Sequence, residues 1–382
     1  MKAHIGIAGA GLAGAVIARE LAETGSYRVS VFEERNHVAG NCHTSRDEQT
    51  GVMVHQYSPH IFYTDSEEIW DYMNSWGKFE HFENKVKANT ARGIFPLPIN
   101  LMTLNHFFNK KMNPAEARDF LGSLNNPDIK DPKNFEEMAL KIFGSDFYYN
   151  FIYGYTKKLW GVHPSLLPHS LLKRIPIRFN YEDSYYSEKF QGIPVSGYTE
   201  IVKRILDHPD IELRQSTKLD PSKKKDFDHL FWSAPLDSYF DHKFGRLNYR
   251  TLMFEKFIDH GDHQGNPIIN YCEEEVPFLR ISEYKHFTPN EKHEKTIFFK
   301  EYSKWCGEND IPYYPVRLNQ DLETLKKYVE LSHSESNITF LGRLGTYRYL
   351  DMHTVVSESL ALARMCKANS ITQWPRFSAS PL

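Results

Sequence analysis

The chain has 382 residues, a formal net charge of −3, and 41% hydrophobic and 14% aromatic residues. That length accommodates two or three domains with sizeable cores, while the small charge excludes a whole-chain electrostatic attraction to nucleic acid or anionic membrane. No apolar run reaches the roughly 20 residues of a membrane-spanning helix. The four cysteines, Cys42, Cys272, Cys306 and Cys366, are widely spaced; they form no metal-ligand pattern and no dense disulfide framework, which fits a reducing cytoplasm.

Residues 5–8 read as a short buried strand, and Gly9, Gly11 and Gly14 follow as G-x-G-x-x-G. Leu12 lies inside that motif, 15–24 has helix-forming composition, and 29–32 is a second β-branched run ending in Glu33. The acid falls about 20 residues after the last glycine, the spacing of a βαβ dinucleotide-binding unit. Gly9 allows the tight turn, Gly11 the approach of a pyrophosphate, and Gly14 close helix–strand packing. The helix N-terminus offers unpaired N–H groups to phosphate, and Glu33 can accept hydrogen bonds from a ribose. A secretory leader and a plain glycine-rich turn compete for the same residues; the glycine register, the charged Arg19 and Glu20, and the acid closing the second strand favour nucleotide binding. Glu34 and Arg35, then Gly40 and Asn41, resemble flavoproteins more than NAD dehydrogenases and favour FAD.

Further along, 42–54 reads as a loop and short strand, leading into the aromatic segment HQYSPHIFYT with His60, Ile61 and Tyr63. Ser66 caps a helix with two glutamates in its first turn. Residues 85–100 are extended and proline-punctuated, and 101–165 form a helical insertion. Short extended runs over 174–206 end in a helix from about Tyr198. Strands at 211–213 and 229–232 return to the nucleotide unit. Alternating segments between 246 and 303 predict an antiparallel sheet with one polar face. A helix at 321–332, a strand at 337–341, the pair Gly342 and Arg343, and a helix from about Met352 to Ala368 complete the opening unit; Asp351 and Met352 occupy the turn that such folds present to a flavin. The expected fold class is α/β, with a discontinuous Rossmann-type FAD-binding domain (1–84, 207–243, 318–382), a helical domain carrying a mobile lid (85–165), and an antiparallel-sheet substrate domain (166–206, 244–317).

Arginines recur in tyrosine-rich company: Arg174 before FNYEDSYY, Arg250 after Tyr249, Arg280 before ISEY, and Arg343 before LGTYRY, with Tyr314 between the last two. Guanidinium forks bind phosphate oxygens in pairs, and phenol hydroxyls add neutral donors. Their repetition beside a flavin unit points to a diphosphate substrate. The stretches VMVHQYSPHIFYTD, GYTKKLWG, LKRIPIRFNYEDSYYSEKFQGIP and ITFLGRLGTYRYLDM, with others in order along nearly the whole chain, resemble the bacterial flavin-dependent UDP-galactopyranose mutases.

The resemblance implies an isomerase of nucleotide sugars acting without net redox in cell-surface polysaccharide synthesis. By that resemblance, N5 of noncovalent, reduced FAD is expected to attack the anomeric carbon as the nucleoside diphosphate leaves. It also implies a homodimer and an external reductant such as NAD(P)H. By residue, it implies Trp160 as the lid tryptophan and Tyr155 on the nucleobase. Arg174 and Arg280 fall to the diphosphate, with Tyr185, Tyr314 and Tyr349 as hydroxyl partners. His60, catalytic with Arg174 and Arg280, falls against the flavin with Ile61 and Tyr349, Arg250 and Arg343 fall in the pocket, and Asn84 and Asn270 near sugar and cofactor. One position departs from the family's usual HIFHT: Tyr63 replaces its second histidine. A phenol cannot become a cation near neutral pH, which puts the exact sugar in question: conversion of UDP-galactopyranose to UDP-galactofuranose is the family default, with dTDP-fucose or UDP-N-acetylgalactosamine as the alternative. A flavin amine oxidase and a non-enzymatic nucleotide-binding module are the readings of other classes.

Overall fold

The computed structural model describes residues 2–382, apart from the side chains of Lys173 and Arg174. Strands Ala3–Ala8, Tyr27–Phe32, Ile211–Arg214, His229–Trp232 and Ile338–Phe340 form one five-stranded parallel sheet with Ala3–Ala8 at its centre. Central parallel strands are covered on both faces, which is why IGIA and HLFW are nearly all apolar. Helices Leu12–Ala22, Tyr198–Leu206 and Met352–Ala368 share the apolar cluster on one face. Helix Asn319–Ser332 supplies Leu325 and Tyr328 to the cluster on the other. The first helix packs closely because its residues are small; a Cβ on Gly14 would stand 2.0 Å from the Gly9 carbonyl oxygen.

A seven-stranded sheet runs in the order Tyr314–Pro315, Tyr249–His260, Lys295–Trp305, Arg280–Glu283, Ile268–Tyr271, Val86–Thr90, Gly93–Leu97. It is antiparallel except where Ile268–Tyr271 pairs in parallel with Val86–Thr90. The helical unit follows: Leu101–Phe107, Pro114–Ser123 with an Asn113–Glu116 capping box, and Phe135–Phe147, bent at Gly144 (φ 72°). The π-turn Tyr148–Tyr153 leads into Gly154–Trp160. A core of Phe95, Phe107, Phe143, Phe147 and Phe151 holds this unit on the sheet.

Two expected boundaries move. Residues 86–97, expected in the helical domain, are sheet strands: Val86–Thr90, with alternating burial, pairs with Ile268–Tyr271 on one side and with Gly93–Leu97 on the other. The helix Tyr198–Leu206 was placed with the sheet domain. Its apolar stripe of Tyr198, Ile201, Val202 and Ile205 instead packs on the nucleotide unit.

Candidate functional site

A cleft of about 620 Å³ opens at the carboxyl ends of the parallel strands, where open α/β sheets bind ligands. Gly9, Gly11, Leu12, Glu33, Glu34, Arg35, Gly40, Asn41, His60, Gly342, Arg343 and Met352, all expected to hold cofactor, line it. The glycines differ in what requires them. Gly9 sits at φ +102°, and a Cβ there would meet Ser233 Oγ at 2.3 Å. Gly11 has ordinary backbone (φ −75°) and only Gly40 Cα, 3.8 Å away, near its missing Cβ. Nothing in the protein demands glycine at 11; the space beside it opens into the cleft. Gly11 caps the first helix without a side-chain bond, and Gly11, Leu12 and Ala13 of its first turn line the cleft, where helix N-termini receive phosphate.

Glu33 is buried and accepts from the Ala10 and Arg35 amides at 2.9 and 3.0 Å, one on each oxygen. That fixes the carboxylate and leaves lone pairs for hydroxyl donors. Arg35 donates to Asn41 Oδ1 (2.9 Å), lies over the Tyr57 ring at 4.8 Å, and keeps Nη1 buried with no partner. An unsatisfied guanidinium nitrogen lining a cleft suits a bound phosphate or ribose oxygen. Ile61, expected beside the cofactor, is 3% exposed and packs in the core instead. Asp351 is the N-cap of the last helix and makes no side-chain cap bond.

The HQYSPHIF turn places His60. Ser58 adopts φ +79°; its carbonyl takes the His60 Nδ1 proton at 2.7 Å, and its hydroxyl donates to Glu301 Oε2 at 2.6 Å. A carbonyl only accepts, so Nδ1 carries the hydrogen and Nε2 is left as an acceptor. Burial, with the charge of Arg343 added, holds His60 down to about 4; it is a neutral imidazole near pH 7.

Beside this cleft the sheet presents a polar row. Asn270, Arg280 and Glu301 are register partners on three adjacent strands. Arg280 donates from Nη2 to the Tyr155 hydroxyl at 2.8 Å, and its Nε lies 3.2 Å from Glu301 Oε1 without hydrogen-bond alignment. Burial opposes the Arg280 charge, but Glu301 and the tyrosines around it hold the guanidinium protonated. Tyr185, Tyr186 and Tyr314 all feel the Arg280 charge. Tyr314 stacks on Tyr349 at 5.4 Å, and Arg343 lies over Tyr349 at 4.9 Å while bonding the Leu350 and Tyr313 carbonyls. Asn84 and Asn270 are buried with unpartnered Oδ1 atoms, the state of groups awaiting a donor.

Three expected residues sit differently. Arg250 is 2% exposed: Nε donates to Leu159 O (2.9 Å) and Ser303 Oγ (3.0 Å), Nη2 to Lys158 O (3.3 Å), and Nη1 is buried with no partner. Burial pushes its pKa down to about 10. Trp160, at 8% exposed, belongs to the helical core in this conformation. Arg174 ends the 3-10 turn His169–Arg174, and its side chain falls outside the described residues. Tyr63 stacks flat on Tyr186, 3.9 Å between centroids, near His353 and Asp351. Sequence reasoning missed Glu301, Ser58 and Tyr186. Glu301 left a signal, an acid in the inward register of a strand whose Ile297 and Phe299 are buried.

A family model described as UDP-galactopyranose mutase matches residues 150–349, and one described as an NAD(P)-binding Rossmann-like domain matches residues 7–76. A probable UDP-galactopyranose mutase of Klebsiella pneumoniae is 49% identical over 360 residues, 94% of each chain. A dTDP-fucopyranose mutase of Escherichia coli is 44% identical over 371 residues, 95% of this chain and 98% of its own. A crystal structure of reduced UDP-galactopyranose mutase shares the fold, with TM-score 0.75 at 17% identity over 100% of this chain and 98% of that one. A putrescine oxidase shares it at TM-score 0.54 and 12% identity, covering 97% of this chain and 100% of its own. Fold alone therefore does not separate mutase from amine oxidase.

Proposed function

Because this chain belongs to the UDP-galactopyranose mutase family, we propose that it interconverts the pyranose and furanose forms of UDP-galactose, with noncovalent FAD as its cofactor. The observation that carries the reading is the row Asn270–Arg280–Glu301, topped by the Tyr155 hydroxyl, beside a dinucleotide cleft. An amine oxidase has no use for a buried guanidinium at its reacting centre; a departing diphosphate does.

FAD is supported by the open space at Gly11, the unpartnered Arg35 Nη1 and the carboxylate of Glu33, fixed by two amides with lone pairs left for a ribose. When bound and reduced, the flavin would supply a nucleophilic nitrogen, and an external reductant such as NAD(P)H would keep it reduced. The chain's own part is binding, orientation and charge. Arg280, with Arg174 as its expected partner, takes the diphosphate oxygens as they gain charge, Tyr185, Tyr314 and Tyr349 add hydroxyl contacts, and Tyr155, held by Arg280, takes the nucleobase. The open Oδ1 atoms of Asn84 and Asn270 accept from sugar or cofactor hydroxyls. Neutral His60 offers an acceptor beside the flavin without adding positive charge. Trp160 serves the lid, and the chain works as a homodimer. Free Cys42, Cys272, Cys306 and Cys366 fit the reducing cytoplasm. No helix among the described residues is long and apolar enough to cross a membrane.

One observation favours a second substrate, dTDP-fucopyranose: Tyr63, with its ring against Tyr186, sets an aromatic surface where a C6 methyl group would pack. The test is a product assay by the dithionite-reduced holoenzyme on UDP-galactose, dTDP-fucose and UDP-N-acetylgalactosamine. Furanose from UDP-galactose is expected; furanose from dTDP-fucose alone moves the assignment to the second reading, and no ring contraction with any of the three rejects both.

A further inference from the structure

The strands carrying Asn270 and Arg280 are joined by loop 272–279, closed by the Tyr271 amide donating to Leu279 O at 2.8 Å. This loop wraps around one side chain from another element. Lys158 Nζ lies 2.8, 2.7, 2.9 and 3.1 Å from the carbonyl oxygens of Tyr271, Glu273, Val276 and Phe278. An ammonium has three hydrogens, so four carbonyls around it form an oxygen cage for a cation. Glu273, Glu274 and Glu275 make the loop more attractive to positive charge; of these, Glu274 pairs with Lys157 at 2.5 Å in an exposed contact. The rest of the helix Gly154–Trp160 is pinned too. Arg250 and Ser303 Oγ hold the Leu159 carbonyl at 2.9 and 2.8 Å. A Cβ on Gly154 would meet Cys272 O at 2.3 Å, and one on Gly161 would meet Arg250 Nη1 at 2.1 Å. Between these pins the helix presents Tyr155 to Arg280.

We propose that Lys158 is a positioning residue of the nucleotide site. Its ammonium is a built-in cation that shapes the hairpin 268–283 and sets Asn270 and Arg280 against Tyr155. The proposal rests on reading Arg280 as the diphosphate ligand. It implies that cutting the side chain back opens a site for a free monovalent cation, since the observed N···O distances also suit ammonium or potassium.

The experiment measures UDP affinity of the flavin-loaded Lys158→Ala variant in tetramethylammonium, potassium and ethylammonium buffers of equal ionic strength, beside wild type and Arg280→Ala. In tetramethylammonium, Lys158→Ala should bind UDP at least tenfold more weakly than wild type. Potassium or ethylammonium should recover most of that loss, while wild type ignores the exchange and the flavin spectrum stays unchanged. Wild-type affinity in Lys158→Ala, with Arg280→Ala weakened, overturns the proposal. A loss that neither cation repairs also overturns it, because a lysine that only stabilises the fold leaves no cation site. Undiminished UDP binding by Arg280→Ala instead rejects the underlying site reading. Should Lys158→Ala yield no holoenzyme, Lys158→Gln keeps two donors without the charge, and wild-type UDP affinity there overturns the proposal.

Discussion

Arg280 and Glu301 form a partly desolvated pair: the Arg280 side chain is 20% exposed and the Glu301 side chain 1%. Removing one partner leaves the other charge unpaired. Arg280→Ala is therefore expected to lower kcat/KM by roughly 2–5 kcal/mol and to lower Tm as well. Adding Glu301→Gln should restore Tm while leaving kcat/KM low, because the stranded carboxylate is gone but the diphosphate ligand is still missing. Recovery of kcat/KM in the double variant would place the guanidinium outside the reaction. Tyr63 belongs to the same scale. Burial, with Tyr186 and Asp351 nearby, pushes its phenol pKa up, so it acts as a neutral hydroxyl on an aromatic face. A buried sugar hydroxyl left without a partner costs about 1–3 kcal/mol. Tyr63→His should shift relative kcat/KM from dTDP-fucose toward UDP-galactose by up to that amount, both measured at one flavin redox state. An unchanged ratio would show that Tyr63 does not choose the sugar.

The first βαβ element makes a prediction that separates its glycines. Gly14→Ala should destabilise the fold itself, since its Cβ meets backbone at 2.0 Å, whereas Gly11→Val has open protein space and should fold but lose flavin. Equal flavin affinity in Gly11→Val and wild type would contradict the placement of the cofactor. This element was readable from sequence because each residue obeys a local rule: glycine register, helix start, acid after the second strand. The final helix Met352–Ala368 was readable for the same reason. The sheet was harder. Val86–Thr90 pairs in parallel with Ile268–Tyr271, far along the chain, and no local pattern announces such a partner. Arg250 likewise reads as one more arginine beside a tyrosine; only the fold shows that Nε and Nη2 go to the carbonyls of a helix end while Nη1 stays without a partner. Glu301 was missed because its partner Arg280 is on another strand and Ser58 on a loop 243 residues away.

At the scale of the whole molecule, burial holds His55 and His229 down to about 3, and His43 and His60 to about 4, from the usual 6.5. His55 shows why: its Nδ1 accepts the His60 amide at 2.9 Å, which protonation forbids. With folded pKa values below unfolded ones, the unfolded chain takes up protons first as pH falls. The stability is fully present above about 6.5 and is lost progressively toward 4 and below. Tm should be flat from pH 7 to 8 and fall steadily below 6.5, and His55→Asn, which keeps an acceptor without titrating, should flatten part of that slope. A constant Tm down to pH 4.5 would contradict the burial of these rings. The proposed chemistry itself rearranges a sugar ring with no net change in oxidation state, yet depends on a reduced cofactor. The most direct measurement is therefore anaerobic formation of UDP-galactofuranose from UDP-galactopyranose by the same holoenzyme, once oxidised and once reduced with dithionite. Turnover by the reduced form, with flavin still reduced after many cycles and little or no turnover by the oxidised form, is the predicted result. Equal turnover by strictly oxidised enzyme, or one-for-one consumption of reductant per product, would contradict it.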